Sequence, residues 1–226
     1  MGQFDLFGFH IPIFKTYPAT QTAHRVSQYG QDFHSYTYFP AKQKARQRIL
    51  FYQGALVQAG THAPLTRELS QKNVAVYLLK SPLNLPILDT TAAPRLIPDK
   101  PTIPLYLAGH SLGGAVASMN VEEAHQAKGL ILLASYPSNK VDLSDNQLAV
   151  LSITASQDHI LNWSSYEKAK KRLPKNTDFV QIFGGNHSGF GEYGLQKNNT
   201  VSTISPKQQR QEIVEIIAQF IQKQEP

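Results

Sequence analysis

The sequence predicts an α/β protein, a largely parallel central sheet flanked by helices, and three observations carry that expectation. Short apolar runs rich in branched residues alternate with stretches of helical periodicity. Several of the runs are apolar on both faces, as strands buried between two helical layers are. With 226 residues, 41% of them apolar and 17% charged, the chain is long enough for one substantial core and too apolar for disorder.

In chain order, the first 33 residues are aromatic and irregular and are read as an arm packing on a single domain that spans residues 34–226. Strands are expected at His34 to Phe39, Ile49 to Tyr52, Val74 to Leu79, Leu105 to Ala108, Leu130 to Ser135, Leu148 to Ala155 and Phe179 to Phe183. Helices fit Ala63 to Gln71, Gly113 to Gln126, Ser164 to Arg172 and Lys207 to Gln222. In the last of these, Ile213, Ile216, Ile217, Phe220 and Ile221 form one stripe at helical spacing, the mark of a core-facing side. Six prolines between Ser81 and Pro104 permit only a short helix, around Ile87 and Leu88 or near Arg95. Pro104 opens a strand, where its missing N–H is tolerated.

Composition excludes several chemistries. The chain has no cysteine, which removes disulfides, thiolate nucleophiles, iron–sulfur clusters and cysteine-bound zinc. No pair of histidines or carboxylates has ligand spacing on one element, so no metal is expected. No dinucleotide fingerprint occurs either, and no cofactor is expected at all. The net charge of +6 includes two basic clusters, Lys42, Lys44, Arg46 and Arg48, then Lys168, Lys170, Lys171, Arg172 and Lys175. The first alternates just before an apolar run and the second lies on a short helical stretch that also holds Glu167, so both read as solvated faces and no nucleic-acid partner is expected. No apolar run reaches membrane-spanning length, and Asp5, His10, Pro12 and Lys15 break up any signal-peptide core; a cytoplasmic location is expected. Leu6 stands where N-myristoylation needs serine or threonine. Oligomeric state is open.

The chemistry-bearing motif is Gly109-His110-Ser111-Leu112-Gly113, with the strand Leu105 to Ala108 before it and the small residues Ala115 to Ser118 opening a helix after it. A Gly-x-Ser-x-Gly sequence in this setting forms a sharp strand-to-helix turn that lifts the serine hydroxyl above the sheet. The same turn aims the Leu112 amide at the place where negative charge develops on a substrate oxygen. Without its flanks the motif would be a glycine-rich turn with an incidental serine.

A serine hydroxyl needs a histidine base oriented by a carboxylate. Of eight histidines, His187 lies in Gly184-Gly185-Asn186-His187-Ser188-Gly189, directly after the last expected strand. His159 is its rival. Asp158 follows the strand Leu148 to Ala155 and precedes His187 by 29 residues; both fall at carboxyl ends of strands, where open parallel sheets collect their functional groups. Asp142 and Asp145 are the alternative acids, in what reads as a surface connection, and Asp178 stands at the wrong sheet edge. A second oxyanion donor belongs in the loop after Ile49 to Tyr52, with the Ala55 amide as first choice and Leu56 as fallback.

With these spacings the chain order Ser, Asp, His resembles the α/β-hydrolase superfamily. More narrowly, the block Phe51 to Val57, the step Pro82 to Leu85, the GHSLGGA turn, Leu132 to Pro137 and GGNHSGFGEYG are similar to small bacterial α/β hydrolases near the dienelactone hydrolases, over roughly residues 35–223. The resemblance implies a Ser-His-Asp acyl hydrolase acting on a small-molecule acyl substrate. Two departures stand out. Gln53 occupies a position where proline or histidine is expected, and Ser111 replaces the cysteine of true dienelactone hydrolases, which argues against their substrate. Only Pro137 to Gln147 separates Tyr136 from the next strand, and those eleven residues are too few for a lid. The site is therefore expected to be open, walled by residues 82–101 and 189–199, with Leu83, Leu85, Leu112 and Tyr193 as substrate contacts and short acyl groups preferred. The alternative expectation is a catalytically silent scaffold of the same fold acting as a binding protein. Three glycosylation sequons start at Asn162, Asn186 and Asn198, and a glycan at Asn186 would crowd His187.

Overall fold

The computed structural model describes residues 3–6 and 9–12 as backbone and, beyond them, residues 16–96, 103–121, 124 and 127–225. An antiparallel pair, β1 (Gln3–Leu6) and β2 (Phe9–Pro12), stands apart from the main sheet. Helix α1 (Gln21–Ser27) begins where the Thr20 hydroxyl accepts from the Ala23 N–H at 3.2 Å. There follow β3 (Gln31–Asp32), β4 (Tyr36–Phe39), β5 (Gln47–Tyr52), α2 (Ala63–Gln71), β6 (Val74–Leu79), α3 (Ala92–Leu96), β7 (Leu105–His110) and α4 (Leu112–Asn120). The chain continues through β8 (Ala127–Leu133), β9 (Ala149–Ala155), α5 (Trp163–Ala169) and β10 (Asp178–Ile182) to α6 (Pro206–Lys223). A capping box between Ser205 and Gln208 starts this last helix.

Eight strands form one sheet in the order β10-β9-β8-β7-β5-β6-β4-β3. β4 runs antiparallel to β6 and β3 antiparallel to β4, while the other pairings are parallel. Each face of the sheet has its own core. On one face Ile49, Phe51, Val76 and Ile131 pack against Leu69 of α2 and Ile213, Ile217 and Phe220 of α6. On the other, Leu50, Leu107, Leu130 and Leu132 meet Val116 and Ala117 of α4. Each such aliphatic side chain contributes about 1.5–3 kcal/mol by leaving water.

Element ends differ from the sequence expectations for local reasons. β8 stops at Leu133 instead of Ser135 because Ala134 turns to φ 46°, and β10 stops at Ile182 because the chain reverses at Gly184, φ 77°. β7 runs on to His110, which pairs with Leu133. α4 ends at Asn120, whose side chain donates to the Val116 carbonyl at 2.9 Å and competes with the helical ladder. The expected helix to Gln126 is thus shorter, and its residues 122–123 and 125–126 lie outside the described ones, as do residues 97–102 of the proline-rich wall. That wall holds two short turns of 3₁₀ helix, Pro82–Asn84 and Pro86–Leu88, and then α3. The first 33 residues also supply a strand, β3, at the edge of the main sheet.

Residues 137–147 run beside the second core, with Val141 and Leu143 buried in it, so no separate lid is present among the described residues. Among these residues no helix is long and apolar enough to cross a membrane.

Candidate active site

From β5 the chain passes through α2 to β6 on one side; from β7 it passes through α4 to β8 on the other. The carboxyl ends of β5 and β7 therefore flank a topological switch point, the place where open parallel sheets leave a crevice. Tyr52 pairs with Gly109, so Gln53 and the loop after it lie beside His110 and Ser111.

Ser111 stands between β7 and α4 with φ 54° and ψ −125°, a backbone region that side chains rarely occupy and that persists only where the surroundings enforce it. Its N–H donates to the Leu133 carbonyl at 2.9 Å, and its carbonyl accepts from the Ser135 hydroxyl at 2.6 Å. The turn is tight enough that a side-chain carbon on Gly109 would overlap Gly113, and one on Gly113 would overlap the carbonyls of Tyr52 and Gln53. The α4 N-terminus is thereby pressed against the loop after β5. Leu112 is the first residue of that helix, and its N–H has no partner within the helix by geometry.

Asp158 follows β9 and is fully buried; His187 follows β10 and is 1% exposed. His187 Nδ1 lies 2.8 Å from Asp158 Oδ2. The other carboxylate oxygen accepts from the Ile160 and Leu161 N–H groups at 2.9 and 2.8 Å. Burial works to raise the pKa of Asp158, but the facing His187 ring and these two amides outweigh it and hold the carboxyl below its ordinary value. Nε2 is the His187 nitrogen left for other work. Among the described residues the Ser111 hydroxyl is not hydrogen-bonded to His187, although the rings of Ser111's neighbour His110 and of His187 lie 4.7 Å apart. The rivals are elsewhere: His159 points outward to the Thr200 hydroxyl at 2.7 Å, Asp142 is exposed, and Asp178 begins β10.

The loop after β5 is held by Gln53. Its side chain is fully buried, donates to the Val57 carbonyl at 2.9 Å and to Asn84 Oδ1 at 3.2 Å, and accepts from the Ser81 N–H at 3.3 Å. An amide at this position therefore ties the loop to the wall after β6, which neither proline nor histidine could do in the same way. The Leu56 N–H donates to the Asn84 carbonyl at 2.7 Å, which removes it from the oxyanion role. Among the described residues the Ala55 N–H donates to nothing. Leu56, Leu83 and Asn84 all take positive φ, so strain collects at this rim.

The expected contacts separate. Leu83 is 77% exposed at the rim, while Leu85 packs on the cluster of Leu56, Leu112, Tyr136 and Leu161 beside the site. Tyr193 is 6% exposed and closed against Tyr17, their rings 5.7 Å apart, so it supports the site from behind instead of presenting a face to a substrate. Tyr17 is a tie as well: its N–H donates to the Leu56 carbonyl at 2.7 Å and its hydroxyl accepts from the Lys197 N–H at 3.2 Å.

Two supports were not foreseen from the sequence. Gln209 of α6, fully buried, clamps Asn186 beside His187, and Gly185 and Gly189 are without side chains where the Gln209 amide lies. Buried beneath His187 is a pair of imidazoles, His62 and His110, with His62 Nε2 at 3.2 Å from His110 Nδ1. The Asn186 side chain points inward, accepting from the Gly189 N–H at 2.9 Å and donating to the Thr200 carbonyl at 2.6 Å, so in the folded chain it is not available to a glycan.

Comparison with known proteins supports what the topology indicates. No curated protein matches the chain. Among solved structures it is similar to the Francisella virulence factor BioJ (16% identity, TM-score 0.59, covering 81% of this chain and 80% of that one). It is also similar to a ferulic acid esterase from Streptomyces cinnamoneus (18%, 0.61, 82% and 68%). A third is a soluble variant of the monoglyceride lipase from Saccharomyces cerevisiae (13%, 0.58, 86% and 94%). At such identities the likeness is one of fold. The model of the alpha/beta hydrolase family matches residues 48–211, which run from the second residue of β5 to the start of α6 and contain every residue of the crevice but Tyr17, and the chain belongs to that family.

Proposed function

We propose that this α/β hydrolase is a serine hydrolase that cleaves a small acyl ester through an acyl-enzyme. The observation that carries the reading is the strained Ser111 turn at the switch point with the buried Asp158–His187 pair at 2.8 Å beside it. Ser111 Oγ attacks the acyl carbon while His187 Nε2 takes its proton. The Leu112 and Ala55 N–H groups receive the oxyanion. The alcohol leaves with the proton from His187; water then attacks the acyl carbon, gives its proton to His187, and the acid departs as Ser111 recovers its hydrogen. Asp158 holds the imidazole in the Nδ1–H form and balances its transient charge. A serine–histidine bond that is long in the resting enzyme and closes around substrate is usual for such sites. Two of the fold neighbours carry an esterase or lipase name. Without a lid, the rim of Leu83 and Leu85 suits short acyl groups better than long chains.

The test is labelling by a fluorophosphonate probe and turnover of p-nitrophenyl esters from acetate to palmitate. Wild type is expected to label and to prefer acetate or butyrate, and Ser111→Ala to do neither. Equal labelling of the two proteins would sink the proposal. Thioester and amide substrates in the same panel decide the leaving group, since one triad serves all three.

A further inference from the structure

The mechanism above leaves two buried histidines unused. His62, at the end of a 3₁₀ turn, is completely buried and His110 is 1% exposed. The Thr61 hydroxyl is 3.0 Å from His62 Nδ1, and His62 Nε2 is 3.2 Å from His110 Nδ1. The far nitrogen, His110 Nε2, is buried without a hydrogen-bond partner. The His187 main chain lies near the His110 ring and favours a proton on it. The His110 ring also touches the His187 ring at 4.7 Å and stacks on Phe190 at 5.6 Å, both residues of the turn that carries the base. A buried polar atom left unpaired is costly, and a row of three polar side chains ending on it directly under the base calls for a reason.

We propose that His110 is a positioning residue for His187, and that Thr61 and His62 set its proton order. The inference rests on the serine-hydrolase reading of the same site. In this order the Thr61 hydroxyl donates to His62 Nδ1, and His62 carries its proton on Nε2 and donates it to His110 Nδ1; the Ala59 carbonyl, which also favours a proton on the His62 ring, is the acceptor that competes with it. His110 must then hold its own proton on Nε2. The last ring of the row is the one in contact with the His187 and Phe190 rings of the turn that carries the base. Burial also keeps both rings neutral, so the only cation that forms in this cluster is the His187 imidazolium of the reaction, against an uncharged neighbour. The Thr61 carbonyl accepts from the Glu192 N–H at 2.8 Å, which anchors the row to the far end of the His187 loop as well.

Three variants of His62 read the idea without touching His187. In His62→Gln the side-chain amide falls where Nε2 was and can still donate to His110; in His62→Leu it cannot. On p-nitrophenyl butyrate the Leu variant is expected to lose about tenfold or more in kcat with KM within about twofold, and the Gln variant to stay within about threefold of wild type. Equal losses in both, or a Leu variant with wild-type kcat, would overturn the proposal. Should His62→Leu fail to fold, His62→Asn, whose shorter amide does not reach His110, takes its place. Nitrogen-15 spectra of the histidine rings supply an arm independent of turnover. Both buried rings are expected neutral and protonated on Nε2 at pH 7, with the His187 resonances moving in the Leu variant and not in the Gln variant. A His110 protonated on Nδ1 would refute the proton order even if the enzyme is active. Absent probe labelling with the expected spectra would instead refute the serine-hydrolase reading.

Discussion

The Gln209 side chain holds both main-chain groups of Asn186: Oε1 accepts from its N–H at 3.0 Å and Nε2 donates to its carbonyl at 2.8 Å. Asn186 is the residue before His187, the proposed base, so α6 fixes the approach of the His187 loop as a partner strand would. Replacing Gln209 by leucine leaves a buried donor and a buried acceptor unmade. A loss of about 2–4 kcal/mol in denaturant unfolding is expected, with a larger fractional loss of probe labelling rate than a fold defect alone gives. Unchanged labelling at unchanged stability would show that the loop does not depend on this clamp.

The Asp158 carboxylate makes three hydrogen bonds, of which only one reaches His187. Asp158→Asn keeps the volume but exchanges an acceptor for a donor toward Nδ1 in one amide orientation, and it removes the charge that balances the imidazolium in the proposed mechanism. A fall in kcat of about 10³ to 10⁴ is expected, as for removal of the acid in other triads, with the fold retained by circular dichroism. A fall of less than tenfold would assign the acid elsewhere, and Asp142→Asn and Asp145→Asn are the controls.

Gln53→Leu tests the loop that carries Ala55. Its three hydrogen bonds reach Val57, Asn84 and Ser81, and their loss frees the loop from the wall. The expected result is a decrease in kcat of about tenfold or more, bounded by the roughly 10² to 10³ for outright removal of an oxyanion donor, with little change in KM. Leu83→Ala, at an exposed rim position, is expected to alter KM for longer acyl chains and leave kcat on acetate within about twofold.

Acid should weaken the fold through the two buried histidines. Burial pushes His62 down to about 3; burial first, and then the neighbouring His187 and His62 rings, hold His110 well below its ordinary value. In the unfolded chain both titrate near 6.5. Above that pH neither state carries the extra protons and this part of the stability is complete. Below it the unfolded chain binds protons that the folded chain refuses, and stability falls by about 1.4 kcal/mol per pH unit for each histidine. Urea unfolding between pH 6 and 4 is expected to show a slope of about 2.7 kcal/mol per unit, roughly halved in His62→Gln. An unaltered slope in that variant would mean that His62 is reached by water.

What was legible in the sequence is what local pattern dictates. The alternation of apolar runs and helical stripes predicts the parallel sheet, and the helix Ala63–Gln71 has the expected bounds. The flanks of Ser111 predict the strained turn. Asp158 and His187 were readable as carboxyl-end residues, and the structure places them together. Other relations are long-range and leave no local trace. His62 and His110 are 48 residues apart, and Gln209 is one glutamine among several on a helix whose pattern advertises only Ile213, Ile217 and Phe220. Tyr193 reads as a rim aromatic until Tyr17 is seen to cover it. Gln53 looks like an anomaly before its three partners are known. Strand β3 is two residues long and exposed, too short to announce itself by alternation.

Tyr17 joins the loop after β5 to Lys197 across 180 residues of chain. During synthesis the earlier residues emerge first, and a contact of that separation has to wait until residue 197 is outside the ribosome. Closing so long a loop also carries a large entropy cost before any contact repays it. The crevice therefore matures later than the strands around it, and a nascent chain halted before residue 197 would have its sheet begun and this side of the crevice still open.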